Sequence, residues 1–156
     1  MLLTVAGCTA PGEVYRDASL PMRSTPVAPF AVDGRWYEVA GFYEDDERCA
    51  VGAVTLTVQP GGMLLLHEGP CADRDPRQVV LRPEGAGQFR PETGAPLWVL
   101  WHDAGYDAAV IGTPDGSLGY ILGRSRRISQ AQMAAARAAL AANGYDMTKL
   151  RPTGAV

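Results

Sequence analysis

Gly34-Arg35-Trp36-Tyr37-Glu38-Val39-Ala40-Gly41-Phe42 decides how the rest of the chain is read. The stretch alternates. As a strand it turns Trp36, Glu38, Ala40 and Phe42 to one face and Tyr37, Val39 and Gly41 to the other. Gly34 carries no Cβ, so the backbone can turn there and a large indole can lie against it. Taken alone, the stretch fits an ordinary strand with a buried Trp. Two later stretches narrow the reading. Gly119-Tyr120-Ile121-Leu122-Gly123-Arg124-Ser125 is a strand that ends on an arginine, and His102-Asp103-Ala104-Gly105-Tyr106-Asp107 links two further apolar runs.

Outward from Gly34 the alternating runs recur with turn residues between them. They predict strands at 35–42, 50–58, 63–69, 77–83, 87–91, 96–103, 107–113 and 117–124. Pro60-Gly61-Gly62 turns the second strand into the third. Pro114-Asp115-Gly116 is a tight turn that makes the last two strands a hairpin. Eight antiparallel strands in sequence order with short loops imply an all-β fold, an up-and-down barrel whose closure removes exposed edges. A barrel of this strand number is filled by its own side chains or holds one small ligand.

The period then becomes helical. Ser129-Gln130-Ala131-Gln132 is a capping box, flanked by Ile128 and Met133 as a hydrophobic staple. The helix spans 130–143, and Gly144 ends it in the left-handed conformation. Its alanines form a thin face suited to lie on the outside of the last three strands, against Trp98 and Leu100. Lys149-Leu150-Arg151 begins a short ninth strand.

Composition sets bounds. The 156 residues make one domain with a real core. Hydrophobic residues are 47% and charged residues 20%, ordinary for a globular protein. Net charge is −3, and the only tight basic group is Arg124, Arg126 and Arg127, so nucleic acid is not an expected partner. No apolar run is long enough for a membrane span.

The three stretches together resemble the lipocalin family. That family opens its barrel with a G-x-W strand, carries a T-D-Y-like turn between the sixth and seventh strands, and closes the eighth strand with an arginine. The match looks nearest to the bacterial lipocalin and apolipoprotein D branch, whose first strand reads Trp-Tyr-Glu-Ile. It covers roughly 33–150. The resemblance implies that Trp36 and Arg124 face inward at the closed end and stack as a cation–π plug. Stepping by two from them places Glu38, Ala40 and Phe42 on the cavity side of the first strand, and Leu118, Tyr120 and Leu122 on that of the eighth. The family phase adds Leu97, Val99 and Trp101 on the sixth strand and Ala109 and Ile111 on the seventh. The second and third strands supply Val54, Leu56, Leu64 and Leu66. Trp98 and Leu100 face out.

This lining is apolar and aromatic, which suits an acyl chain or another elongated apolar ligand. A barrel filled by Trp101, Tyr120 and Phe42 is the alternative. Glu38 stands out, because an inward carboxylate is costly unless paired or protonated. It either pairs with Arg124 or a backbone amide, or contacts a ligand head group.

Leu3-Thr4-Val5-Ala6-Gly7-Cys8 looks like the end of a bacterial lipoprotein signal, where the Cys becomes the lipidated N-terminus. Only seven residues precede Cys8 and none is basic, so 1–8 reads as a remnant of such a signal. A chance run of small residues with a free thiol is the other reading. Residues 9–32 contain Pro11, Pro21, Pro26 and Pro29 and read as a flexible tether, leaving 33–156 as the barrel and its helix. Cys49 and Cys71 flank the 60–62 turn about equally. Pairing them would close a loop of about twenty residues, add roughly 3 kcal/mol and point to an oxidising compartment. Two unpaired thiols are the alternative. His67 and His102 show no metal-ligand spacing with them.

The sequence thus predicts an envelope lipocalin that binds, carries or stores fatty acids, lysophospholipids or similar apolar ligands. It would be anchored to the bacterial outer membrane through lipid on Cys8, with the barrel facing the periplasm. No metal, cofactor or catalytic residue is expected. The rivals are a lipocalin-fold enzyme acting on a lipid or isoprenoid, and a filled barrel serving as an interaction module. Oligomeric state is left open.

Overall fold

The computed structural model describes residues 12–43, 52–69 and 75–153. Among these residues nine strands form the sheet: β1 (Gly34–Phe42), β2 (Ala53–Val58), β3 (Leu64–Glu68), β4 (Arg77–Gly85), β5 (Gln88–Pro91), β6 (Leu97–His102), β7 (Ala108–Gly112), β8 (Gly119–Gly123) and β9 (Arg151–Pro152). The order β2-β3-β4-β5-β6-β7-β8-β1-β9, with β1 also paired to β2, closes the first eight into an antiparallel barrel. β1 does this by changing partners along its length. Gly34 to Tyr37 pair with β2, Tyr37 to Phe42 with β8, and β9 takes Ala40 and Gly41 on the side that β2 has left.

The helix α1 (Gln130–Ala142) lies outside the barrel on β6 and β7. Ser129 Oγ accepts from the Gln132 amide at 3.0 Å, and the Gln132 side chain accepts from the Ser129 amide at 2.8 Å, so two orphan donors of the first turn are satisfied. Gly144, at φ +84°, ends the helix. Its amide donates to Ala141 and that of Tyr145 to Leu140, the double closure of a Schellman motif. Ala136 and Leu140 are fully buried against the barrel wall, in a cluster that includes Val110 and Ile121.

Besides a register shift at Pro83/Gly85 in β4, two β-bulges change the phase expected for the cavity residues. In β1 the register slips between Glu38 and Ala40 against β8, and in β6 between Val99 and Trp101 against β7. Each slip inserts one residue, Val39 or Leu100, and inverts the side-chain alternation beyond it. Ala40 and Phe42 therefore belong to the cluster under the helix, not to the cavity. Trp101 packs against the same outer cluster, as do Trp98 and Leu100. Past the bulges, Tyr43 and His102 are turned inward instead.

The expected tether over 9–32 is also corrected for its described part. Tyr15 and Arg16 are buried, 5% and 6% exposed. Arg16 donates from Nε to the Asn143 carbonyl (2.9 Å), from Nη1 to Pro114 (2.5 Å) and from Nη2 to Leu20 (2.7 Å). A cation thus satisfies a carbonyl at the helix C-terminus, where the dipole favours positive charge. Further on, Thr25 donates its amide to Val99 at 2.7 Å, and Ala28 donates to the Tyr106 hydroxyl at 3.1 Å. The prolines hold the segment extended, and paired backbone groups hold it to the barrel. Cys8, Cys49 and Cys71, with the proposed lipidation and bridge, lie outside the described residues.

Candidate functional site: a cavity within the barrel

The closed end is built from β1, β8 and the 3-10 turn Pro29–Val32. Trp36 is 1% exposed, and its indole N–H donates to the Val32 carbonyl at 2.9 Å. Arg124 lies over the indole with Cζ 3.9 Å from the ring centroid. Its guanidinium donates to three carbonyls, Tyr106 (3.2 Å), Arg35 (3.1 Å) and Ala31 (2.7 Å). One side chain therefore ties the 102–107 turn, β1 and the 3-10 turn together. The turn itself is organised by Asp103, whose carboxylate accepts from the amides of Asp107 and Ala108 and from the Gln132 side chain. Those bonds hold the Asp103 carboxyl below its ordinary pKa against the opposing effect of burial.

Above this floor the barrel encloses a cavity of about 1000 Å³. It is at the upper end of the range for small-molecule sites. The cavity is lined by Glu38, Val54, Leu56, Leu64, Leu66, Leu97, Val99, Ala109, Ile111, Leu118, Tyr120 and Leu122, all expected there from the sequence. Trp36 lines it as well, so the plug is also the end wall. Several of these apolar side chains, Leu56, Leu66, Val99 and Ile111 among them, are half-buried while their strands are fully paired. Their free faces look into the cavity. The barrel is open inside, and the filled alternative does not describe it. Tyr120 leaves this room by lying across Gly41, where a Cβ would stand 2.6 Å from its ring.

The sequence reading omitted one wall. Val79 and Leu81 of β4 and Phe89 of β5 line the cavity, and Val32 packs with them from below. Alternation along β4 carried that signal, but the glycines and Pro91 around β5 obscured it. His102 and Tyr106 complete the wall near the 102–107 turn, stacked at 4.1 Å and 15°. Val27, from the N-terminal segment, also reaches the cavity.

Glu38 points into the cavity beside the start of β2. Its amide donates to the Gly52 carbonyl at 2.6 Å, and a Cβ at residue 52 would collide with its carboxylate. Neither Arg124 nor a backbone amide pairs with that carboxylate among the described residues. Burial, and then the nearby Glu68 carboxylate, push its pKa up to about 7. Its folded pKa thus lies above the unfolded value. The site is most stable with Glu38 protonated, fully so below the unfolded value near 4.5, and the advantage is lost as pH rises through about 7. Glu38→Gln should therefore unfold with a flatter pH profile across that window and gain on the wild type at pH 8. Thermal melts at pH 5 and pH 8 check this; an equal pH dependence in both proteins would contradict it.

Among the described residues no group of three or more His, Cys, Asp or Glu side chains is arranged to hold a metal. The arrangement can enclose an apolar molecule and offer it a few polar groups at one side.

Comparison with known proteins agrees with this geometry. A family model described as a lipocalin-like domain matches residues 83–155. The crystal structure of the major allergen Per a 4 from cockroaches superposes with a TM-score of 0.66 at 14% identity, covering 85% of this chain and 91% of that one. The siderocalin Ex-FABP, described as functioning through dual ligand specificities, gives a TM-score of 0.63 at 18% identity, covering 81% and 95%. Among curated proteins no match is found. At these identities the structural likeness is one of fold, and the fold is that of a lipocalin.

Proposed function

We propose that the protein is an envelope lipocalin of the bacterial and apolipoprotein D branch. It binds and carries or stores single-chain apolar ligands of the fatty acid and lysophospholipid kind. The observation that carries this reading is the cavity of about 1000 Å³, walled by aliphatic side chains and closed at one end by Trp36 under Arg124. An acyl chain entering it gains about 0.8 kcal/mol for each CH₂ taken from water. The fold offers a space to occupy and, among the described residues, no nucleophile with a base beside it, so binding accounts for the geometry better than turnover does.

The position of the tryptophans makes the reading testable. Trp36 is on the cavity wall, and Trp98 and Trp101 are under the helix. In a Trp98→Phe, Trp101→Phe double variant, a bromine-labelled dodecyl alcohol should quench the remaining Trp36 emission saturably. Quenching confined to Trp98 and Trp101 in the wild type would place the ligand outside the barrel.

The envelope location is part of the same proposal and rests on Cys8 at the end of a small-residue run. Fitted with a full signal, the chain should be lipidated at Cys8 and sediment with membranes. Multiple acyl chains exceed the two signals stable anchoring needs. Cys8→Ser should release it, and a variant that stays with membranes through a detergent-free wash would argue against the anchor. The Cys49–Cys71 bridge belongs to this proposal too, as a device for an oxidising compartment.

A further inference from the structure

Among the described residues the charged part of the cavity wall is predominantly acidic. Its charged residues among those described are Glu38, Glu68, Asp75 and Glu92 against a single cation, Arg77. Arg77 is already engaged. Its Nε donates to Glu68 at 2.5 Å and its Nη2 to the other Glu68 oxygen at 3.4 Å. Arg124, under the floor, spends its donors on three backbone carbonyls. Among the described residues, a ligand carboxylate entering this space would meet carboxylates and no cation outside an ion pair. Glu38 is the reverse case: a half-buried acid facing the cavity with no described partner, kept clear of side chains by Gly52.

We propose that the cavity selects single-chain ligands with a cationic, hydrogen-bond-donating head group, a long-chain amine, and that Glu38 is its counter-ion. This rests on the apolar cavity of the binding reading above and departs from it in the head group, an amine in place of a fatty-acid carboxylate. The ammonium would donate to the Glu38 carboxylate while the chain lies in the cavity along the apolar side chains of β2, β3 and β4. A charge-assisted bond in a partly desolvated site is worth more than one in water. Below about pH 7, and with no cation present, Glu38 stays protonated and neutral.

A proton linkage follows. Glu68, Asp75 and Arg77 face the cavity on the side of β3 and β4, Tyr120 faces it from β8 and Tyr43 from the end of β1. His102 and Tyr106 face it from the 102–107 turn, stacked on each other. Glu38, raised to about 7, is the acid among them that an entering cation would ionise. Amine binding should therefore release a proton below that pH and tighten as pH rises from 5.5 to 8.

The test is calorimetric titration with dodecylamine, dodecanol and dodecanoate at pH 5.5 and 8.0, on wild type and Glu38→Gln. At pH 8.0 dodecylamine should bind about tenfold or more tighter than dodecanol, as expected for one hydrogen bond to a charged group. Dodecanoate should be the weakest. The amine's advantage should shrink at pH 5.5, and titration in two buffers should show proton release. Glu38→Gln should abolish the amine's advantage over dodecanol. Its melt at pH 8 shows that it is folded. Dodecanoate binding as tightly as the amine, or an amine advantage that survives in Glu38→Gln, would overturn the head-group proposal and leave the cavity reading standing. Failure of dodecanol to bind at all would overturn the cavity reading, and this proposal with it.

Discussion

Trp36→Ala is expected to destabilise the protein by about 3–5 kcal/mol, the range for truncating a buried aromatic to alanine. The side chain is 1% exposed, donates to the Val32 carbonyl and carries Arg124 on its face. Alanine would leave a cavity at the barrel floor, orphan that carbonyl and remove the surface on which the guanidinium is stacked. For a domain of this size the melting temperature should fall on the order of 10 °C. Arg124→Ala should cost about 2–4 kcal/mol by a different route, since three carbonyls lose their donor at once. The two losses should not add, because each variant already removes the stacking. Circular dichroism melts of both single variants and the double check this. Either single variant melting within about a degree of the wild type would show that the floor is not held this way.

Arg16→Ala should cost about 2–4 kcal/mol, far more than loss of a residue in a loose tether. Three charge-assisted bonds go, to the helix end at Asn143, the β7–β8 turn at Pro114 and Leu20 in its own segment. The segment beyond should loosen with it. Arg23, whose amide is held by the Asn143 side chain at 2.8 Å, should become a trypsin site. Limited proteolysis beside a thermal melt reads both effects. Unchanged stability with unchanged cleavage would return 12–28 to the status of a tether.

Where sequence reading succeeded and where it failed have physical causes. The barrel was legible because alternation and turn chemistry act locally: Pro114-Asp115-Gly116 and Gly144 each dictate a backbone reversal wherever they occur. The stacking of Arg124 on Trp36 came from family resemblance, since nothing local joins residues so far apart. The phase of Glu38, Leu118, Tyr120 and Leu122 was legible for as long as alternation was unbroken. It failed at Ala40, Phe42 and Trp101, because a bulge is set by how two strands are paired and has no signature within either strand. Trp101 was the costly error, since its bulky indole was placed in the cavity and packs outside it. The N-terminal segment was misread because its composition is that of a linker. The partners that hold Arg16, Asn143 and Pro114, are distant in sequence.

The central claim is that the barrel interior is a binding site for an apolar chain. Its most direct test is the chain-length dependence of a neutral series, octanol to tetradecanol, titrated calorimetrically into the wild type and Leu118→Arg. A neutral head group keeps the wall charges out of the comparison. Each added CH₂ should tighten binding by about fourfold, or ~0.8 kcal/mol, until the cavity is filled. Leu118→Arg, which places a charge on the apolar wall, should weaken every member. Affinity independent of chain length, and untouched by Leu118→Arg, would mean that the alcohols adsorb outside the barrel and would contradict the account.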